Sequence, residues 1–128
     1  MTEISTSEKK IYLIEKDPAI IDVISIILAE EGYETIISKM PFQIEEIYTQ
    51  TPVLIVLDNG LNNHGVEICK ALRRDKATFM IPIVLSCTNN NLPALAEECG
   101  ATAYIMKPFD IEEFITLINS VLQGLSGS

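Results

Sequence analysis

The sequence predicts one α/β domain built on a parallel sheet with helices on both faces. Three observations carry that prediction. Short apolar runs and amphipathic stretches alternate five times along the chain. The first of these runs is apolar on both faces, which suits a strand buried on both sides. Each run stops abruptly at polar residues, where an open parallel sheet places its site. The length of 128 residues fits a single domain. A chain of this size buries roughly two-thirds of its unfolded surface and needs no disulfide or metal staple. Residues 1–9 read as a flexible N-terminus, residues 10–123 as the domain, and residues 124–128 (G-L-S-G-S) as a linker or tag remnant.

The first strand is expected over residues 11–14 (I-Y-L-I), ended by Glu15-Lys16-Asp17 and Pro18. Asp17 suits the N-cap of a helix whose first turn holds Pro18. Ile20, Val23, Ile24, Ile27 and Leu28 give that helix its inner stripe, and Gly32 ends it. Residues 33–38 (Y-E-T-I-I-S) form a more polar strand, suited to a sheet edge. Pro41 is expected to open a second helix carrying Ile44 and Ile47, broken at Thr51-Pro52.

Residues 53–57 (V-L-I-V-L) form the most continuous apolar run and read as a central strand ending at Asp58. After the loop N-G-L-N-N-H-G, residues 66–74 are helical, with Val66, Cys69 and Leu72 inward. The fourth strand is expected over residues 81–85 (I-P-I-V-L), ending at Ser86. A short helix follows from residues 89–93 and ends at Gly100. Residues 102–106 (T-A-Y-I-M) form the fifth strand, ending at Lys107-Pro108. Asp110 then caps a last helix with Ile111, Phe114, Ile115, Ile118 and Leu122 inward.

Composition narrows the function. Hydrophobic residues make up 48% of the chain, too many for disorder. Eighteen acids against nine Lys and Arg give a formal net charge of -9, which argues against direct contact with nucleic acid. No apolar run approaches the roughly 20 residues of a membrane span, and the polar N-terminus lacks a signal-peptide core. A cytoplasmic location is expected. Cys69, Cys87 and Cys99 show no C-x-x-C and no nearby His cluster, so buried reduced thiols are expected rather than a disulfide or zinc site.

The strand ends bring together Glu15, Lys16 and Asp17, Asp58, Ser86, and Lys107 with Pro108. Any one of these polar residues could simply end a strand; their convergence points to a site. With the stretch G-A-T-A-Y-I-M-K-P-F over residues 100–109, they make the chain resemble the receiver domains of two-component response regulators, from about residue 10 to 123. The resemblance implies a flavodoxin-like, CheY-like fold with five strands in order 2-1-3-4-5 and five helices. It implies a bacterial signalling domain rather than an enzyme, catalysing at most its own phosphoryl transfer and hydrolysis.

By the same resemblance Asp58 accepts a phosphoryl group from a histidine kinase or phosphotransfer protein. Lys107 pairs with the phosphoryl oxygens. Ser86 is the switch hydroxyl, and Tyr104 the aromatic whose rotamer follows it. Pro108 matches a proline often preceded by a cis bond. Glu15, Asp58 and the backbone carbonyl of Gly60 would hold Mg2+. The partner or output domain would dock on the face of the fourth helix, fifth strand and fifth helix.

The chain departs from that pattern after the first strand. Lys16 stands where the principal metal-binding acid is expected, and Asp17 matches either a variable third acid or a helix cap. An ammonium in place of a carboxylate changes the local charge by two units against any cation. At an effective dielectric of about 20 and a separation of about 4 Å, one unit-charge contact is worth about 4 kcal/mol, enough to weaken or block the metal. Lys16 could pair with Asp58 or Glu15, or extend to solvent. The loop also departs, with Asn62 at a position usually held by proline, followed by Asn63-His64-Gly65. His64, the single histidine, reads as a loop residue beside a helix start.

Two functions therefore compete: a phosphorylation-competent receiver, and a pseudo-receiver acting as a phosphorylation-independent interaction module. A flavin carrier or small-molecule enzyme would need a phosphate-cradling loop rich in Gly, Ser or Thr after the first strand, and E-K-D-P is none of these.

Overall fold

The computed structural model describes residues 9–60 and 63–127. Residues 1–8, which carry most of the expected flexible N-terminus, and Asn62 lie outside the described residues. The elements are β1 (Lys10–Ile14), α1 (Pro18–Glu30), β2 (Glu34–Ile37), α2 (Ile44–Gln50), β3 (Leu54–Asp58), α3 (His64–Arg74), β4 (Ile83–Cys87), α4 (Leu92–Cys99), β5 (Ala103–Met106) and α5 (Ile111–Gly127). The strands form one sheet in order β2-β1-β3-β4-β5, with every pair parallel. This is the expected CheY-like, flavodoxin-like topology.

Side chains alternate across each strand, so the sheet has two cores. On one face Ile11, Leu13, Leu54, Val56 and Val84 meet Ile24, Ile27 and Leu28 of α1 and Phe114 and Ile118 of α5. On the other, Tyr12, Ile55, Leu57, Ile83 and Leu85 meet Ile47 of α2, Val66, Cys69 and Leu72 of α3, and Leu95 and Cys99 of α4. The apolar runs of β1, β3 and β4 are buried because they face both cores. All three cysteines are buried and free, as expected. Burial, together with Cys99, pushes the Cys69 thiol up to about 12, which leaves it inert. Among the described residues no helix is long and apolar enough to cross a membrane.

Several boundaries differ from the sequence reading for local reasons. Pro41 does not open α2; it follows a cis Met40–Pro41 bond, and Phe42 turns its ring edge-on to Tyr12 before the helix starts at Ile44. Thr51, in the left-handed region, ends α2. β4 begins after Pro82, whose carbonyl accepts from Ile55 N, so Ser86 lies inside the strand rather than at its end. α3 begins two residues early, at His64. Val23 and Ile111, expected inward, are exposed because the buried stripes run through Ile24–Ile27–Leu28 and Phe114–Ile118. α5 extends to Gly127, so residues 124–127 of the expected linker are helical.

Candidate functional site

The site forms where β1, β3 and β5 end on the same edge of the sheet. β1 and β3 pair from Ile11↔Leu54 to Ile14↔Leu57, which carries Glu15 and Asp58 to neighbouring strand ends. Lys107 follows β5, and its backbone N–H donates to Cys87 O at the end of β4. From there its Nζ lies 2.7 Å from Glu15 Oε1 and 2.9 Å from Asp58 Oδ1. The Lys107–Pro108 bond is cis, as the resemblance implied.

This bridge is largely withdrawn from water: the Glu15, Lys107 and Asp58 side chains are 4%, 15% and 17% exposed. Charge-assisted bonds at such positions are stronger than on an open surface. Burial pulls the Lys107 ammonium down, but the hydrogen bonds and charges of Glu15 and Asp58 outweigh it and hold the group above its ordinary value. Lys107 therefore stays charged at neutral pH.

The remaining donors of the first loop are engaged locally. Glu15 Oε2 accepts from the backbone N–H groups of Lys16 and Asp17, both at 3.2 Å. Asp17 Oδ1 accepts from Ala19 N at 2.9 Å, so this acid is the helix cap. Lys16 is exposed, and no carboxylate among the described residues ion-pairs with it. Of the two expectations for Lys16, pairing with Asp58 or Glu15 and extension to solvent, the structure shows the second: Lys107 holds both acids.

Asp58 keeps one oxygen open. Oδ2 has no hydrogen-bond partner among the described residues, whereas Oδ1 is taken by Lys107. Gly60 sits beside Oδ2 with φ +72, and a Cβ there would stand 3.9 Å from it. The carboxylate lines a cavity of about 710 Å³ together with Glu15, Lys16, Asn59, Gly60 and His64, with Met40, Pro41, Phe42 and Ile68 as its apolar wall.

Ser86 is the register partner of Asp58 on β4. It is buried, and its hydroxyl makes no hydrogen bond with the described residues. Tyr104 is half-exposed and pairs in register with Leu85, and no hydrogen bond joins it to Ser86. The geometry thus brings Glu15, Asp58 and Lys107 into contact, seats Ser86 beside them, and leaves Tyr104 turned to solvent.

Two residues the sequence reading passed over shape the site. Asn59 is buried; its Oδ1 accepts from Val66 N at 2.9 Å and its Nδ2 donates to Asn63 Oδ1 at 2.7 Å, which docks the start of α3 onto the end of β3. Gly65 allows that docking, because a Cβ there would lie 2.5 Å from Asn59 Cα and 2.8 Å from Asp58 O. The signal available was an amide directly after the strand-ending acid, able to donate and accept at once.

The donor set does not fit a magnesium site. Mg2+ takes six oxygens in near-ideal octahedral geometry, several of them water and one or two from carboxylates, and of the Glu15 and Asp58 oxygens only Asp58 Oδ2 is left without a hydrogen bond among the described residues. Both oxygens of Glu15 and one of Asp58 already accept hydrogen bonds from the protein, and Asp17 is the cap. Among the described residues no group of three acids, histidines or cysteines could hold a metal. Glu15, Asp58 and, on the same cavity, Glu67 stand against Lys107 and Lys16, so the ammonium of Lys16 leaves only one net negative charge to draw a divalent ion.

Comparison with known proteins agrees with this architecture. Residues 11–119 match the family model described as the response regulator receiver domain. The chain is 33% identical over 119 residues to the DNA-binding dual master transcriptional regulator RpaA of Synechocystis, covering 89% of this chain and 49% of that protein. It is 28% identical over 124 residues to the DNA-binding response regulator MtrA of Mycolicibacterium smegmatis, covering 92% and 52%. The chain therefore spans about half the length of these curated relatives. Among solved structures, the chemotaxis protein CheY4 of Vibrio cholerae superposes with a TM-score of 0.78 at 21% identity, over 88% of this chain and 98% of that one. The BeF3-activated receiver domain of RstA from Klebsiella pneumoniae gives 0.79 at 25% identity, over 90% and 99%.

Proposed function

The chain belongs to the response regulator receiver domain family of two-component systems, and from that premise we propose that it accepts a phosphoryl group on Asp58 from a histidine kinase or phosphotransfer protein. One observation carries the reading. Lys107 holds Asp58 by Oδ1 alone, which orients the carboxylate and leaves Oδ2 as the nucleophile, on a residue that lines a cavity. The Lys107 ammonium stands where charge develops as the phosphoryl group arrives.

Ser86 then donates its free hydroxyl to the phosphoryl oxygens. Tyr104, now turned outward, follows Ser86 and changes the surface formed by α4, β5 and α5. Apolar side chains already stand exposed there, with Tyr104 at 46%, Met106 at 38% and Ile111 at 55%. That patch supports docking of a partner or output domain. Phosphorylation would shift an equilibrium between the outward and inward arrangements rather than create a new fold. The domain works as a signalling element in the cytoplasm, its chemistry confined to its own phosphoryl transfer and hydrolysis.

A second reading is favoured by Lys16. Members of this family generally bind Mg2+, and a pocket that does not fit the ion suits a pseudo-receiver that recognises its partner without phosphorylation. Intact mass after incubation with acetyl phosphate in magnesium separates the two. Gain of one phosphoryl mass, absent in Asp58→Asn, is expected. No Asp58-dependent gain at any magnesium concentration would leave the interaction module as the function.

A further inference from the structure

Around the acceptor two cations face two acids, with Glu67 on the same cavity as a third acid. Glu15 and Asp58 contribute two negative charges, and Lys107 and Lys16 two positive ones. Lys107 is already committed to both acids, at 2.7 and 2.9 Å. Lys16 is not committed to anything: it lines the same cavity as Asp58, is exposed, and has no ion-pair partner among the described residues. Its backbone N–H is pinned by Glu15 Oε2, which fixes the root of the side chain at the cavity wall while its four-carbon stem stays mobile. The other charged group lining the cavity, Glu67, is exposed on α3 and pairs with no cation among the described residues.

We infer that Lys16 is the second cation of the acceptor pocket, so that Asp58 takes up a phosphoryl group without a divalent metal. The inference rests on the acceptor reading above and adds to it the identity of the counter-charge. In the step itself Asp58 Oδ2 attacks the phosphorus of an acyl phosphate or a phosphohistidine. A new P–O bond forms, the P–O or P–N bond to the donor breaks, and its electron pair leaves with the donor's carboxylate, or with an imidazole kept neutral by the proton on its other ring nitrogen. The aspartyl group goes from one negative charge to two. Lys107 alone cannot match that increase while it also holds Glu15. The Lys16 ammonium swings onto the arriving phosphoryl oxygens and supplies the missing positive charge as a compact point charge. The exchange of an acid for an ammonium brings the same two units of charge that a divalent ion would bring.

The test follows intact mass during incubation with acetyl phosphate, once with EDTA and once with Mg2+, for the native chain, Asp58→Asn, Lys16→Met, Lys16→Arg and Lys16→Asp. Because Lys16 is exposed and unpaired, none of its variants should disturb folding. The native chain is expected to gain the phosphoryl group at rates within about twofold in the two media. Lys16→Met should slow the EDTA reaction about tenfold or more, and Lys16→Arg should restore most of it. Lys16→Asp should make the reaction depend on magnesium, a change that a merely structural lysine would not produce. Phosphorylation of the native chain in Mg2+ but not in EDTA would overturn the inference and leave the acceptor reading standing. An EDTA reaction unaffected by Lys16→Met would overturn the role of Lys16. No Asp58-dependent reaction in either medium would overturn the acceptor reading and this inference with it.

Discussion

At the amino-terminal edge of the sheet Arg73, in the last turn of α3, donates to the carbonyls of Phe79, Ile81 and Gly100 and to Thr102 Oγ1. At the carboxyl-terminal edge Lys107 holds the carboxylates of Glu15 and Asp58. Both cations tie neighbouring elements together at short range, but their partners differ in kind. The acceptors of Arg73 are neutral and no reaction alters them, so a planar fork with fixed donor directions suits them. The acceptors of Lys107 are charged, and one of them is the group whose charge the proposed chemistry changes. A single ammonium on a flexible stem can follow that change. One end of the sheet is therefore built to stay closed and the other to be rearranged.

The comparison can be sharpened or broken by substitution. The largest effect is expected at Gly65→Ala, where the added Cβ meets the backbone of Asn59 and Asp58. About 3 kcal/mol or more of stability should be lost in urea unfolding, because no flexible side chain can yield. A neutral result there would mean that α3 is free to slide at the reactive end. Next, Lys107→Met should slow phosphoryl acceptance at least about 100-fold, equivalent to about 2.7 kcal/mol in the barrier. If it costs stability more than acceptance, Lys107 is a staple like Arg73 and the contrast fails.

Arg73→Met should cost about 2 kcal/mol in unfolding, since it removes three hydrogen bonds to carbonyls, of which the one to Ile81 is part-buried. It should leave the rate of acceptance within about twofold, because the change lies at the opposite edge. The smallest effect concerns pH. Burial and Glu46 raise the Tyr12 phenol to about 12 in the folded chain, against its ordinary value of 10.0. Between these values the unfolded chain has lost the proton and the folded chain has kept it, so stability should fall as pH rises from about 10 to about 12. Lys107, whose ammonium is also held above its ordinary value, adds to the alkaline loss as it deprotonates. Urea midpoints at the two ends of that window should differ less in Tyr12→Phe than in the native chain.

The sheet was legible because burial on both faces writes itself as unbroken apolar runs, as in L-I-V-L before Asp58. Glu15, Asp58 and Lys107 were legible for the same reason: they are the first polar residues where such runs stop. What could not be read depended on contacts distant in sequence. Whether Lys16 pairs or extends turns on which cation reaches the acids first, and Lys107 is 92 residues from Glu15. Gly65 looks like any loop glycine until α3 is docked on β3. Arg73 looks like one of the cations that end a helix, although its donors finish the entries of β4 and β5. Pro41 misled because a proline before a helical pattern fits the first turn, and only the Tyr12–Phe42 contact shows the chain arriving another way.

Three of the four acceptors that Arg73 uses are main-chain carbonyls. Gly100 must stay glycine, because its φ is +82 and a Cβ there would lie 3.2 Å from Arg73 Cγ, but at the other two positions a carbonyl is supplied by whatever residue occupies them, so the clamp imposes little demand on the side chains it passes there. Two of those side chains are already turned outward beside it, Phe79 at 51% and Met80 at 76% exposure. The amino-terminal rim can therefore be rewritten into a different recognition surface, by selection or by design, without loosening the sheet that carries the acceptor.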